Sequence, residues 1–158
     1  MTYAIADEPS ETGLRHWVVD PSGPLLASMM CGAWLAVPWF AVNAIAMGSP
    51  TRRKEIALCV LTVVATALLG WAVLAMRDAG LIRTITELRF ALLAVVTCKL
   101  GMLYAIHTLQ MRTFHVYEYY DGPVRSASAA ISFGWMVSGL VIGLIDDPLW
   151  IIVVSGGL

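Results

Sequence analysis

Residues Ile56–Met76 read IALCVLTVVATALLGWAVLAM, a stretch without one charged side chain. A helix needs about 20 mostly apolar residues to cross a hydrocarbon core about 30 Å thick, at about 1.5 Å per residue. Ile56–Met76 meets that test. So do Pro24–Met47 and Phe90–Met111, and Ala127–Ile145 is slightly shorter. Lipid offers no partner for open backbone groups, and the runs are too long and continuous for barrel strands. The expected fold is therefore all-α, an integral membrane four-helix bundle with short loops. Its helices cover 24–47, 56–76, 90–111 and 127–145.

Composition agrees. Of 158 residues, 59% are hydrophobic and 13% charged, against about 25% charged in soluble domains. The net charge of −1 supplies no basic field, so nucleic acid is not an expected partner. Cys31, Cys59 and Cys98 lie inside apolar runs without C-x-x-C spacing and read as small buried residues. Residues 1–23 form a polar, acidic segment without the layout of a secretory signal. Residues 24–158 form the membrane domain. Its apolar tail, Leu149–Val154, is too short to span and is expected at the interface or against a neighbour.

Four spans place both termini on one side and the loops 48–55 and 119–123 on the other. Trp17, Trp71 and Trp150 then fall on the side of the termini as an aromatic belt, and Trp34, Trp39 and Trp135 fall mid-span as packing residues. The loop side carries Arg52, Arg53, Lys54, Arg112 and Arg125. The other carries Arg15, Arg77, Arg83 and Arg89. The compact cluster Arg52–Lys54 assigns loop 48–55 to the cytoplasmic side of a bacterial inner membrane, with the termini opposite.

Lys99 sits mid-way along the third run. A lysine at the bilayer centre costs about 2.5–3.5 kcal/mol on insertion scales, so it should point into the bundle. Asn43, Thr62, Thr66 and carbonyls loosened at Pro38 are candidate partners. A contact with an anion, a proton or a cofactor and a purely structural role both remain open. His107, Met111 and His115 follow at four-residue steps, a stripe with ligand types that suit copper. His107 and His115 are about 12 Å apart along the axis and cannot share one ion, so only His107 with Met111, or Met111 with His115, could hold a metal, with further ligands from elsewhere. A polar stripe reaching the interface explains the same residues. His16 lies far from both in depth, so no bis-histidine haem forms within the chain. In the fourth run, Ala130, Gly134 and Ser138 recur every four residues, and Gly139 and Gly143 form G-x-x-x-G. Small residues let helices approach, either inside the bundle or against another subunit. No hydrolase elbow, phosphate loop or zinc-protease motif is present.

Cys98-Lys99-Leu100 in the third run, Leu69-Gly70-Trp71 near the end of the second and Trp34 in the first carry a family likeness. The layout resembles the membrane domain of bacterial copper-resistance proteins and the membrane-bound, haem-containing protoporphyrinogen oxidase. The resemblance implies copper or haem as cofactor. The chain departs from the oxidase pattern in having no histidine in its first run.

The expected function is a small membrane subunit or anchor of a larger complex, with a redox or respiratory complex as one candidate, and without catalysis of its own. Its partners are the lipid bilayer and other membrane subunits. Two alternatives are carried. One is a metal- or haem-handling protein using Lys99 and the His107–Met111–His115 stripe. The other is a proton or ion conductor through Lys99.

Overall fold

The longest helix begins where its sequence says it should. The Thr84 hydroxyl accepts from the Glu87 amide at 3.2 Å, and the Glu87 carboxylate accepts from the Thr84 amide at 3.1 Å. This reciprocal capping box satisfies two amide donors that a helix start leaves open. The computed structural model describes residues 13–155. Among them the chain is all-α, with no strand and a single isolated bridge, Val19 to Arg125. A 3-10 turn, Arg15–Trp17, precedes six α-helices. These are α1 (Ser22–Met30), α2 (Ala33–Ala46), α3 (Arg52–Asp78), α4 (Ile85–Tyr119), α5 (Ser128–Ile142) and α6 (Pro148–Val154). Most of the acidic segment 1–23, namely residues 1–12, lies outside the described residues.

The helices α3 and α4 pack along one another as the spine of the molecule. At about 1.5 Å per residue they extend about 40 Å and about 52 Å. Both are long and apolar enough to cross a membrane. They run beyond the expected limits 56–76 and 90–111 because polar ends such as Arg52–Glu55 and Arg112–Glu118 continue the same helices. The helix α5, at about 22 Å, is shorter than the expected 127–145.

The first apolar run departs from expectation. Pro24–Met47 is not one helix but parts of two, broken at Cys31–Gly32. Gly32 has φ 107° and ψ 176°, a conformation essentially reserved for glycine. It turns the chain back on itself. Leu25 packs on the cluster containing Phe40, and Val18 on the cluster containing Ala46 and Met47. So α1 and α2 form an antiparallel hairpin whose two ends lie together. The tip leaves a carbonyl open at Cys31, and the Trp34 indole donates to it at 2.7 Å. A Cβ at residue 32 would force this backbone. Gly32→Ala should therefore cost about 1–3 kcal/mol, read as a lower unfolding midpoint of the full chain in detergent. A loss below about 0.5 kcal/mol, the scatter of neutral surface changes, would mean that the tip does not need this conformation.

The reversal corrects the expected topology. Val18 packs against Met47, Phe114 and Tyr117, and its carbonyl accepts from the Arg125 amide at 2.8 Å. The segment Arg15–Val19 thus lies at the same end of the bundle as loops 48–55 and 119–125, not opposite them. Trp17 follows it and lies under the Arg125 guanidinium, 5.8 Å from the ring centroid, so it belongs to no belt with Trp71 and Trp150. The apolar tail, expected at the interface or against a neighbour, forms a short helix within the chain. Asp147 caps α6 by accepting from the Leu149 and Trp150 amides, and Pro148 stands in its first turn. The helix packs mainly on α3, against the small face at Gly70.

Candidate functional site

The buried face of α4 is Val95, Lys99, Leu103, Ile106, Gln110, Thr113, Phe114 and Tyr117, the 3.6-residue period of a helix packed on one side. Lys99 is 2% exposed. Its ammonium donates to the carbonyls of Ser155 at 2.6 Å and Ile152 at 3.2 Å. A helix C-terminus leaves its last carbonyls without amide partners and carries partial negative charge. Lys99 therefore caps the end of α6. The partners expected from the sequence are engaged elsewhere. Thr62 and Thr66 donate to the carbonyls of Leu58 and Thr62 in their own helix. Asn43 binds Val19 and Gln110.

The stripe His107, Met111 and His115 is not brought together. Four-residue steps rotate about 40° each on a helix of 3.6 residues per turn, so His115 stands about 80° from His107. The His107 ring stacks on Tyr104 at 5.7 Å, its Nε2 lies 3.5 Å from the Ser22 hydroxyl, and its Nδ1 is buried without a partner. Met111 packs into the apolar cluster of Val18, Met47 and Phe114. His115 is exposed beside Phe114. Among the described residues no group of three or more His, Cys, Asp or Glu side chains is gathered to hold a metal.

The small residues of α5 divide into two sets. Gly134 is buried, and a Cβ there would collide with the Leu35 side chain and fall 3.2 Å from the Cys31 sulfur. It is the close approach between α5 and the α1–α2 hairpin. Ala130 lines a groove of about 520 Å³ with Trp34, Pro38 and Trp39. The Ser138 hydroxyl donates to the Trp135 carbonyl. A Cβ added at Gly139 would meet nothing within 4 Å, and one at Gly143 would meet only carbonyls of its own helix. These two glycines face outward.

Glu55 is the functional candidate that the sequence reading did not single out. Read as a loop flank, it is fully buried in the first turn of α3. The hydroxyls of Ser49 and Thr51 both donate to its Oε1, the latter at 2.6 Å. The Ser49 oxygen also lies 3.1 Å from the Thr51 hydroxyl and 3.3 Å from that of Thr113. Oε2 is buried and has no partner. The spacing Ser49-x-Thr51, with Glu55 four residues on, is the signal that could have found it. Beside this cluster is an open cavity of about 410 Å³, lined by Pro50, Thr51, Leu109, Arg112, Thr113 and Val116. No family model, no curated protein and no solved structure matches this chain.

Proposed function

We propose that this chain is a small integral membrane subunit that anchors or scaffolds a larger membrane complex. Membrane insertion is supported by the two long helices. A core helix of a soluble protein is mostly buried, but only 28% and 22% of their apolar windows are buried here. The outward side chains are themselves apolar, among them Val60, Leu61, Leu68, Phe90 and Leu93. In this reading α3 and α4 cross the bilayer with α5 beside them. The α1–α2 hairpin enters and leaves from the end that carries Gly48–Glu55, and α6 enters from the other. Irregular backbone at membrane depth persists only where protein covers and satisfies it. The Trp34 bond to Cys31 and the Lys99 bonds to Ile152 and Ser155 supply that satisfaction.

The observation that carries the subunit reading is α5. Gly134 is its one buried residue, while Phe133, Met136 and Leu140 are each about two-thirds exposed or more. Lipid accounts for apolar side chains on that face but not for Gly139 and Gly143. Gly139 lies inside α5, where a glycine costs about 1 kcal/mol relative to alanine, and Gly143 is the C-cap of that helix. An outward G-x-x-x-G returns that cost when another helix packs on it. Purification in mild detergent should yield the chain with other membrane proteins in near-fixed ratio. Gly139→Leu with Gly143→Leu should weaken that association about tenfold, the effect of one lost close helix contact of roughly 1–2 kcal/mol. A stable monomer that retains no partner, with the double variant indistinguishable from it, would count against the proposal.

A further inference from the structure

The fully buried Glu55 has an unequal pair of oxygens. Oε1 accepts two hydroxyl hydrogens, from Ser49 and Thr51, and Oε2 accepts none. The lone pairs of Oε2 are therefore unused inside the protein. A buried ionised oxygen left bare is costly, so it calls for a compensating positive charge. Among the described residues no cationic side chain makes an ion pair with Glu55. Around it stand three more oxygens: the Ser49 hydroxyl, whose lone pairs accept from the Thr51 amide and the Thr113 hydroxyl, and the hydroxyls of Thr51 and Thr113, which keep acceptor lone pairs to spare. Ser49 and Thr113 are themselves 2% and 8% exposed.

We propose that Glu55, Thr51 and Thr113 form a binding site for one hard monovalent alkali cation, with Glu55 Oε2 as its charged ligand and Ser49 holding the other three in place. The donor set is all oxygen, which disfavours copper and other soft or borderline metals. It carries one negative charge and no second carboxylate, which disfavours calcium and magnesium. Thr51 and Thr113 also line the adjoining cavity, which Arg112 shares. The carboxylate stands in the first turn of α3, where the open amides of a helix start favour negative charge. This site is independent of the subunit reading, since it uses residues of this chain alone.

The test is thermal unfolding of the full chain in detergent, in chloride salts of lithium, sodium, potassium and N-methylglucamine at equal ionic strength. A saturable rise of roughly 5 °C is expected with one of the alkali ions over N-methylglucamine, from preferential binding to the folded state. Glu55→Gln keeps the shape and removes the charge, so it should fold and lose the response. Thr113→Val should fold and shift the response to at least several-fold higher cation concentration. Equal midpoints in all four salts, or a response that persists in Glu55→Gln, would overturn the proposal. So would a midpoint that follows pH through Glu55 but ignores the alkali ion, which would make it a proton site. A response absent from the parent chain that appears only in Arg112→Gln would identify the guanidinium as the partner of Glu55, and the proposal would fall.

Discussion

Asn43→Leu is expected to destabilise the protein by about 3–5 kcal/mol, the largest single effect in the molecule. Asn43 and Gln110 are both fully buried. The Asn43 side chain accepts from the Val19 amide at 3.0 Å and donates to the Val19 carbonyl at 3.1 Å. It also lies 3.3 Å from Gln110 Oε1, while Gln110 donates to the Phe40 carbonyl at 2.7 Å. One side chain therefore stands in for a neighbouring strand, pairing both polar groups of a residue that belongs to no helix. Leucine has a similar size but strands the Val19 amide, the Val19 carbonyl and the Gln110 oxygen. Each such group costs about 1–3 kcal/mol when buried without a partner, and local relaxation recovers part of the sum. Equilibrium unfolding in detergent measures the loss. The double variant with Gln110→Leu should be less damaging than the two single changes added together, because it removes the stranded oxygen as well. A cost under about 1 kcal/mol would show that Asn43 does not hold the hairpin ends together.

Hydrophobic length locates the spine, because α3 and α4 differ from expectation only where polar residues prolong a helix already begun. It does not see the reversal at Gly32. Window hydropathy is blind to direction, and glycine is common in unbroken membrane helices. A run of apolar residues reads the same whether it crosses once or turns back half-way. The polar residues Ser28 and Asn43 within the run are the better clue, since buried amides imply a backbone that needs them. The site is legible in the same uneven way. The cost of burying a lysine places Lys99 inside, but its partner lies in a tail too short to span. Asp147 followed by Pro148 is an N-cap followed by a favoured first-turn residue, enough to announce a helix there. The stripe His107, Met111 and His115 drifts around α4 because its steps are all of four, whereas the buried face mixes steps of three and four. Glu55 is hidden because a charged residue beside Arg52–Lys54 reads as a solvated flank. Its burial depends on hydroxyls from the α2–α3 loop and from α4.

Lys99→Met should release α6 while leaving the rest of the bundle folded. Two terms oppose each other. In the proposed membrane setting, removing the charge relieves about 2.5–3.5 kcal/mol of the cost of burying a lysine. Against that, two hydrogen bonds from a charged donor are lost, at about 1.5–3 kcal/mol each, and the Ile152 and Ser155 carbonyls lose their partner. The second term is larger by roughly 1–3 kcal/mol at mid-range values, and the deficit falls on a seven-residue helix. Unfolding of the spine should therefore change little. Ser155→Cys keeps the backbone carbonyl and supplies a thiol that reports on the end of α6. Its labelling by a maleimide should accelerate about tenfold or more when Lys99→Met is added. Gly70→Leu is the steric counterpart. A Cβ at residue 70 would already stand 3.0 Å from Ile152 and 3.1 Å from Leu149, so a larger side chain displaces α6 with Lys99 intact. Faster labelling in both variants identifies Lys99 as the latch of a docked helix. Unchanged labelling in Lys99→Met, together with higher stability and intact co-purification, would leave the lysine with neither a structural nor a functional role. Unchanged labelling with lost co-purification would assign its charge to a partner subunit instead.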